Sequence, residues 1–569
     1  MVTWNLSSLV REEEFDEKIL EARKLAQGVA DKGLTQDVSV EEFKETLDSL
    51  ERLDRLLGRL GAYASNRFSQ DTNDQKAQAL LTKVQALGAD ISQQLLFFSQ
   101  EFKRFDEATA NELIAACPDY EYHLQEIRKG RKHMLSDEAE KIITIKDVNG
   151  AGALSKIRSM LTSNFTYTID GKELTQTEVS QRVKHPDPKV RRQAYDELLR
   201  PYLEHKNVLG SVYQHIIDDW RREAELRTYP SSMSVRNSAN DIPDEAVNSL
   251  LRVCRKNSTI FQKYFKKKQQ LLELEELSRY DIYAPLSLSE EENIPYEDAV
   301  TKVLAVFKDF DERFYNAAKR IVDEEHIDSE LKKGKRGGAY CCTASPDVTP
   351  HVFLNYTGDA NSVRTLAHEL GHGVHALLAE HHNAFHQHAA LPVCETASVF
   401  SEVLLNNRLR KENPSLTKEI TISQIDDFYA TIMRQAWFVI FEEAAHKAVA
   451  EHKSIEEFSE IYQGQLREQY GDEMSIPEQF FYEWLYIPHI FDAPFYCYAY
   501  SFGCLLSLAL YAQYEKDKAY AEKVITMLSR GGSKSPYDLV KEAGFDVTSE
   551  EFWQAGFDVI EEMIDSIEE

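Results

Sequence analysis

The sequence predicts a mainly α fold with one small β-sheet. Apolar residues recur at helical spacing over long stretches of the 569-residue chain. Proline and glycine are scarce, at 16 and 23 residues, which argues against a turn-rich all-β fold. Strand-like residues bounded by turn residues are confined to two short places, near 165–175 and 337–354.

Each element follows from its local pattern. Over the first 110 or so residues, Phe43, Leu47, Leu50, Leu53, Leu57 and Leu60 recur at steps of three and four and form one apolar stripe. Glu51, Arg52, Asp54 and Arg55 form the wet face. The alternating stretch FTYTIDGKELT carries Asp170-Gly171, a short-hairpin signal. HPDPKVRRQAYDELL follows, with Asp187 as N-cap and Pro188 at the first helical position. The polar segment 229–247, YPSSMSVRNSANDIPDEAV, reads as a surface loop. KKGKRGG (332–338) leads into Tyr340, Val352, Phe353 and Leu354, the best place for a sheet. The remainder reads mostly helical, with Ser535 and Pro536 opening a helix after GGSK.

Composition narrows the function. A net charge of −29 repels nucleic acid and anionic membranes. No basic n-region precedes an apolar run at the start, and no segment is long and apolar enough to span a bilayer. Seven scattered cysteines without a CxxC pair suit a reducing cytoplasm. The length predicts two or three packed subdomains.

The chemistry concentrates at HELGH, residues 368–372. On a helix, His368 and His372 lie about 6 Å apart along the axis and on one face. Two imidazoles there can reach one zinc ion, while Glu369 stands to the side, able to hold a water. Asp359 or Asn361 can cap this helix. Val363, Leu366, Ala367, Leu370, Val374, Leu377 and Leu378 form its apolar back. Gly371 costs roughly 1 kcal/mol of helix propensity and makes sense where something packs tightly.

A third ligand is needed. His375 shares the face, but its turn lies ~10 Å from His368 along the axis. The glycine turn that precedes a third histidine in metzincins is absent. His381, His382, His386 and His388 form a local cluster that reads as incidental. VCETASVFSEVLL is the better source: Glu395 completes a His/His/Glu set with an open position for water. Glu402, seven residues on, can accept a hydrogen bond from a ligand histidine and fix its tautomer.

HELGH followed by Glu395 in ETAS resembles the thimet oligopeptidase/oligoendopeptidase F family of zinc metallopeptidases. GGAYCC before it and GGSKSP after it resemble the oligoendopeptidase F branch. The likeness runs from about residue 115 to the end. It implies a two-lobed helical zincin-type metallopeptidase, with the small sheet beside the active-site helix and a deep central channel. After the N-terminal helical region that the periodicity gives (1–110), it implies an oligoendopeptidase F-type subdomain with the hairpin (111–200) and a catalytic domain (201–569). It further implies one Zn2+ per chain on His368, His372 and Glu395, with Glu369 as general base and acid toward a zinc-activated water.

The resemblance also places a tyrosine-rich stretch at FFYEWLYIPHIFDAPFYCYAYSF (480–502) as donor to the oxyanion. Tyr498 matches best, then His489, then Tyr496. Gly338, Ala339 and Tyr340 offer a strand edge for an extended peptide. The function expected is internal cleavage of short unfolded peptides by a monomer or small homo-oligomer. Alternatives are a zinc carboxypeptidase or dipeptidyl carboxypeptidase, a metal-dependent peptide-binding protein without catalysis, and a helical scaffold without metal. An exopeptidase needs a fixed cation for the substrate carboxylate, and the sequence identifies none; Arg364 is unconvincing.

Overall fold

The computed structural model describes residues 3–286 and 293–567. Helices α1 (Phe15–Lys32), α2 (Val40–Gln70) and α3 (Gln75–Arg104) come first. Ser39 and Glu42 close a capping box at the start of α2. Its predicted stripe is borne out: Phe43, Leu47, Leu53 and Leu60 are buried, and Leu50 and Leu57 pack against them.

Helix α4 (Ala151–Ser163) precedes the hairpin of β1 (Tyr167–Ile169) and β2 (Lys172–Leu174). Tyr167 pairs with Leu174 and Ile169 with Lys172. Asp170 and Gly171 have φ of 53° and 72°, the two positive angles a two-residue turn of this kind requires. Helix α5 (Pro188–Glu204) starts as expected, the Asp187 carboxylate accepting from the Lys189 N–H. Helix α6 (Lys206–Leu226) follows.

The expected loop at 229–247 instead contains helix α7 (Ser232–Ala239). Its polar residues turn inward. Ser231 caps the helix, and Ser234 and Asn237 both donate to Asp244 at 2.7 and 2.8 Å. Polarity here marks an internal hydrogen-bond set, which no periodicity reveals.

The sheet forms where expected, from β4 (Tyr340–Cys342) and β5 (His351–Phe353), with the additional strand β3 (Ile327–Asp328). The order is β3-β5-β4, with β5 central, parallel to β3 and antiparallel to β4. Helix α8 (Ala360–Leu378) carries HELGH, and α9 (Thr396–Glu412) follows it. The later helices include α10 (Arg434–Ala450), α11 (Pro488–Asp492), α12 (Tyr498–Lys516) and α13 (Pro536–Glu542). Ser535 caps α13 as predicted.

The chain divides into two compact units, each assembled from three stretches. The first comprises Met1–Lys132, Glu291–Arg408 and Gln513–Phe545. The second comprises His133–Glu290, Leu409–Ala512 and Asp546–Glu569. In the first, the apolar faces of α1, α2 and α3 bury Trp4 and pack on Phe353 of the sheet and on Ala344 and Val348 of the loop between β4 and β5. In the second, Glu483 is buried between Arg279 and Arg434, at 2.6 and 2.8 Å.

The basic KKGKRGG segment has an internal role in the first unit. Lys335 is buried, 1% exposed, against an equally buried Asp328 at 2.5 Å. Its ammonium also donates to the Glu330 and Leu354 carbonyls at 2.7 Å each. It thereby ties the ends of β3 and β5 together beneath the turn into β4. Lys335→Ala leaves Asp328 buried without its cation, keeping the Gln70 amide donor at 3.3 Å, so it is expected to lower the unfolding free energy by about 3 kcal/mol. Urea unfolding measures this, and a loss under about 1 kcal/mol would remove the clamp.

Candidate active site

Helix α8 begins where the Asp359 carboxylate accepts from the Ser362 N–H at 2.7 Å. Val363, Leu366, Ala367, Leu370 and Val374 are fully buried, so the apolar back fixes the rotation of the helix. That rotation leaves the His368 and His372 side chains about a quarter exposed on the opposite side. Their rings lie 4.9 Å apart and nearly perpendicular. Glu369 is buried beside them.

The second half of the site comes from the start of α9. Glu395 occupies the residue just before that helix, with φ −84° and ψ 0°. Its Oε2 lies 3.5 Å from His368 Nε2 and 3.3 Å from His372 Nε2, and accepts from the Ser398 hydroxyl at 2.8 Å. A tetrahedral ion with bonds of ~2.0–2.1 Å sets its ligand atoms about 3.3–3.4 Å apart. Two imidazoles and a carboxylate are also a donor set that suits zinc. These are the residues among those described whose ligand atoms cluster this closely. On the other side of the ring, His368 Nδ1 lies 2.5 Å from Glu402 Oε1. In the neutral ring, donation from Nδ1–H to that carboxylate selects the tautomer whose free Nε2 faces Glu395.

The two helices meet this closely because residue 371 has no side chain. A Cβ there would lie 2.7 Å from the Ala397 carbonyl, the Ser398 Cα and the Ser401 hydroxyl. The small residues Ala397, Ser398 and Ser401, all fully buried, complete the contact.

Electrostatics bind the constellation together. Burial opposes the Glu395 charge, but a hydrogen bond from His372 and the two imidazoles bring its carboxyl down to about 2. Burial likewise opposes charge on His368, yet Glu402 and the neighbouring carboxylates push its imidazole up to about 9. Glu369 is raised above the ordinary carboxylate range, chiefly by burial.

These side chains open onto a cleft of about 590 Å³ whose lining includes Ala339 to Thr343 and His388. Strand β4 sits at the edge of its sheet beside this cleft. Tyr340 anchors it: its ring stacks on Phe353 at 4.9 Å and its hydroxyl donates to Asn66 at 3.1 Å. The Gly338 carbonyl accepts from the Asn355 amide at 2.8 Å. His375 also borders the cleft, but it is buried outside the ligand cluster, and burial holds it down to about 4. His382 and His386 serve the local backbone. The first lies 3.0 Å from the Ser529 carbonyl, and the second accepts from the His123 N–H. Arg364 donates to Asn361 at the start of α8.

A family model described as Peptidase family M3 matches residues 182–559. The chain belongs to peptidase family M3. A second model, described as Oligopeptidase F, matches residues 101–167. The chain is 28% identical to the Oligopeptidase PepF of Bacillus subtilis, over 100% of this chain and 87% of that protein. It is 26% identical to an Oligoendopeptidase F homolog of Borreliella burgdorferi, over 96% and 94%. The crystal structure of oligoendopeptidase-F from Enterococcus faecium shares its fold, with a TM-score of 0.74 at 22% identity over 98% of each chain. The protein is a metallopeptidase, as M3 membership entails.

In this M3 peptidase the aromatic segment lies in the second unit, and it departs from the expected arrangement. Tyr498 is fully buried in the core, and its hydroxyl accepts from the Asn240 amide at 2.7 Å. Burial also raises it. A hydroxyl so enclosed does not face a cleft. The half-buried rings of the segment include His489, Tyr496 and Tyr500, which lie together. Their centroids lie 5.9 Å (His489–Tyr496), 6.0 Å (His489–Tyr500) and 5.2 Å (Tyr496–Tyr500) apart. Tyr500 belongs to this group although the motif match does not single it out. Tyr496 lies in the turn just before α12 and Tyr500 in its first turn, and their rings meet at 5.2 Å while Tyr498 is enclosed in the core. The chain turns into this group at Phe495, whose φ is +57° and whose N–H donates to the buried Glu442 at 2.8 Å.

Proposed function

We propose that this M3 metallopeptidase is a zinc oligoendopeptidase that cuts short unfolded peptides internally. The observation that carries the reading is the position of Glu395 Oε2, at tetrahedral-edge distances from both imidazole nitrogens. His368, His372 and Glu395 would hold the ion, one per chain. When bound, zinc supplies a Lewis acid that polarises the scissile carbonyl and acidifies water.

The chain's own groups do the rest. Glu369 accepts the proton of the attacking water and passes it to the departing amine. Its burial keeps water from competing for that proton and raises its basicity. His489, Tyr496 and Tyr500 replace Tyr498 as the donors offered to the oxyanion, a contribution of roughly 2–4 kcal/mol for one well-aimed group. The outer edge of β4, with Gly338 to Tyr340, adds the peptide backbone as a further strand. We place the enzyme in the cytoplasm, on its charge and cysteine pattern.

The test is mass spectrometry of the fragments from a ~10-residue unstructured peptide, with metal content measured on the same sample. Internal cuts and about one zinc per chain are expected. Single residues or C-terminal dipeptides as the only products would make it a carboxypeptidase or dipeptidyl carboxypeptidase. Zinc without any cleavage would leave a peptide-binding protein. Separately, Glu402→Ala is expected to weaken zinc binding about 10–100-fold, read by competition against a chelating dye. Unchanged affinity would deny Glu402 its orienting role.

A further inference from the structure

The second unit contains a buried arginine with no ion-pair partner among the described residues. Arg158 lies on α4, a helix most of whose other side chains are at least partly exposed. Arg158 itself is 5% exposed. Its guanidinium lies over the Phe491 ring at 4.3 Å, and its Nε is buried without a hydrogen-bond partner. No carboxylate lies within ion-pair distance of it among the described residues, and Asp492 acts on it only from beyond that distance. A guanidinium is rarely buried unless paired, because removing its water costs several kcal/mol. Stacking on an aromatic face recovers only part of this.

The same arginine borders a cleft of about 380 Å³. Thr162 and Gln176 line it with neutral polar groups, and Arg434 adds a second guanidinium. Arg434 shares the single carboxylate of Glu483 with Arg279, so this trio carries one positive charge in excess. His489 closes another side of the cleft. The pocket is therefore cationic, planar in its donors and adjacent to a ring assigned to the reaction.

We propose that Arg158, assisted by Arg434, captures a carboxylate of the peptide substrate. A planar guanidinium presents a fork of N–H donors that matches a carboxylate with two parallel hydrogen bonds. An amide or a neutral side chain offers no charge to offset its desolvation. The carboxylate comes from the peptide C-terminus or from an acidic side chain, and the chemistry of recognition is the same. The inference rests on the proposed role of His489, since that role brings the peptide to this cleft.

The test uses one ~8-residue peptide without acidic side chains, as free acid and as C-terminal amide. A third peptide is amidated and carries a single Glu. For wild type, kcat/KM is expected to favour the free acid over the amide by about 10–100-fold, carried by KM. Arg158→Gln should bring that ratio near one, and Arg158→Lys should restore part of it. A preference for the Glu-bearing amide instead, lost in Arg158→Gln, assigns the site to an acidic side chain. Equal rates on all three peptides with wild type overturn the proposal. So does an Arg158→Gln enzyme that slows on every peptide and keeps the wild-type ratio. Binding of the three peptides to Glu369→Gln, followed by calorimetry, separates this from the peptidase reading. An acid-to-amide difference in Kd there stands even where no peptide is cleaved.

Discussion

Glu369→Gln is expected to lower kcat about 10²–10⁴-fold, with KM changed only a few-fold and about one zinc per chain retained. The amide fills the same volume but has no site that takes a proton. Glu369 stands outside the group formed by His368, His372 and Glu395, so its loss leaves the proposed ligands intact. The folded state now bears the cost of a carboxyl that is 6% exposed and raised by that burial. A neutral amide of equal size removes that cost, so the unfolding midpoint should hold or rise slightly. Steady-state kinetics, metal analysis and thermal unfolding on one preparation give all three readouts. Activity within tenfold of wild type would move the proton transfer to another group. Loss of zinc together with activity would make Glu369 a support of the metal centre instead.

What the sequence reveals about this site depends on how local each signal is. The rotation of α8 is written in seven apolar residues at helical spacing, so the facing of His368 and His372 is readable from the chain alone. Glu395 is readable because it directly precedes the small residues at the start of α9 that let α8 approach. The strand β3 is not. It contributes two residues and pairs with β5 more than twenty residues later, which leaves no alternation to detect. Lys335 and Arg158 look like ordinary surface charges in their segments. Their burial is decided by elements far away in sequence, Leu354 in one case and Phe491 in the other. Tyr498 failed for a similar reason. Matching a motif position by spacing does not show which side chains the core encloses, and Tyr498 is enclosed with its hydroxyl against Asn240, more than 250 residues away in sequence.

Gly371→Ala has the next largest expected effect, and its sign tests how the site is assembled. Alanine in the middle of a helix is ordinarily favoured over glycine by about 0.8–1.0 kcal/mol. At an open position the substitution would therefore stabilise α8. Here the added methyl meets the backbone of Ala397 and Ser398, which belongs to a packed helix and cannot swing aside as a side-chain tip can. Overpacking of this kind costs about 1–3 kcal/mol, enough to outweigh the propensity gain. Relief requires α8 and α9 to separate. That movement pulls His368 and His372 away from Glu395 and His368 away from Glu402, whose separations are now 3.5, 3.3 and 2.5 Å. Zinc affinity is expected to fall at least about tenfold with the stability, since both depend on one interhelix distance. Gly371→Val should do more on both counts. Gly373→Ala is the control two residues on: its methyl meets the tip of the Ile321 side chain, which can rotate. It should leave zinc affinity within about twofold of wild type, because that movement keeps α8 seated against α9. A Gly371→Ala protein that is more stable than wild type and binds zinc as tightly would show that this contact does not hold the two halves of the site together.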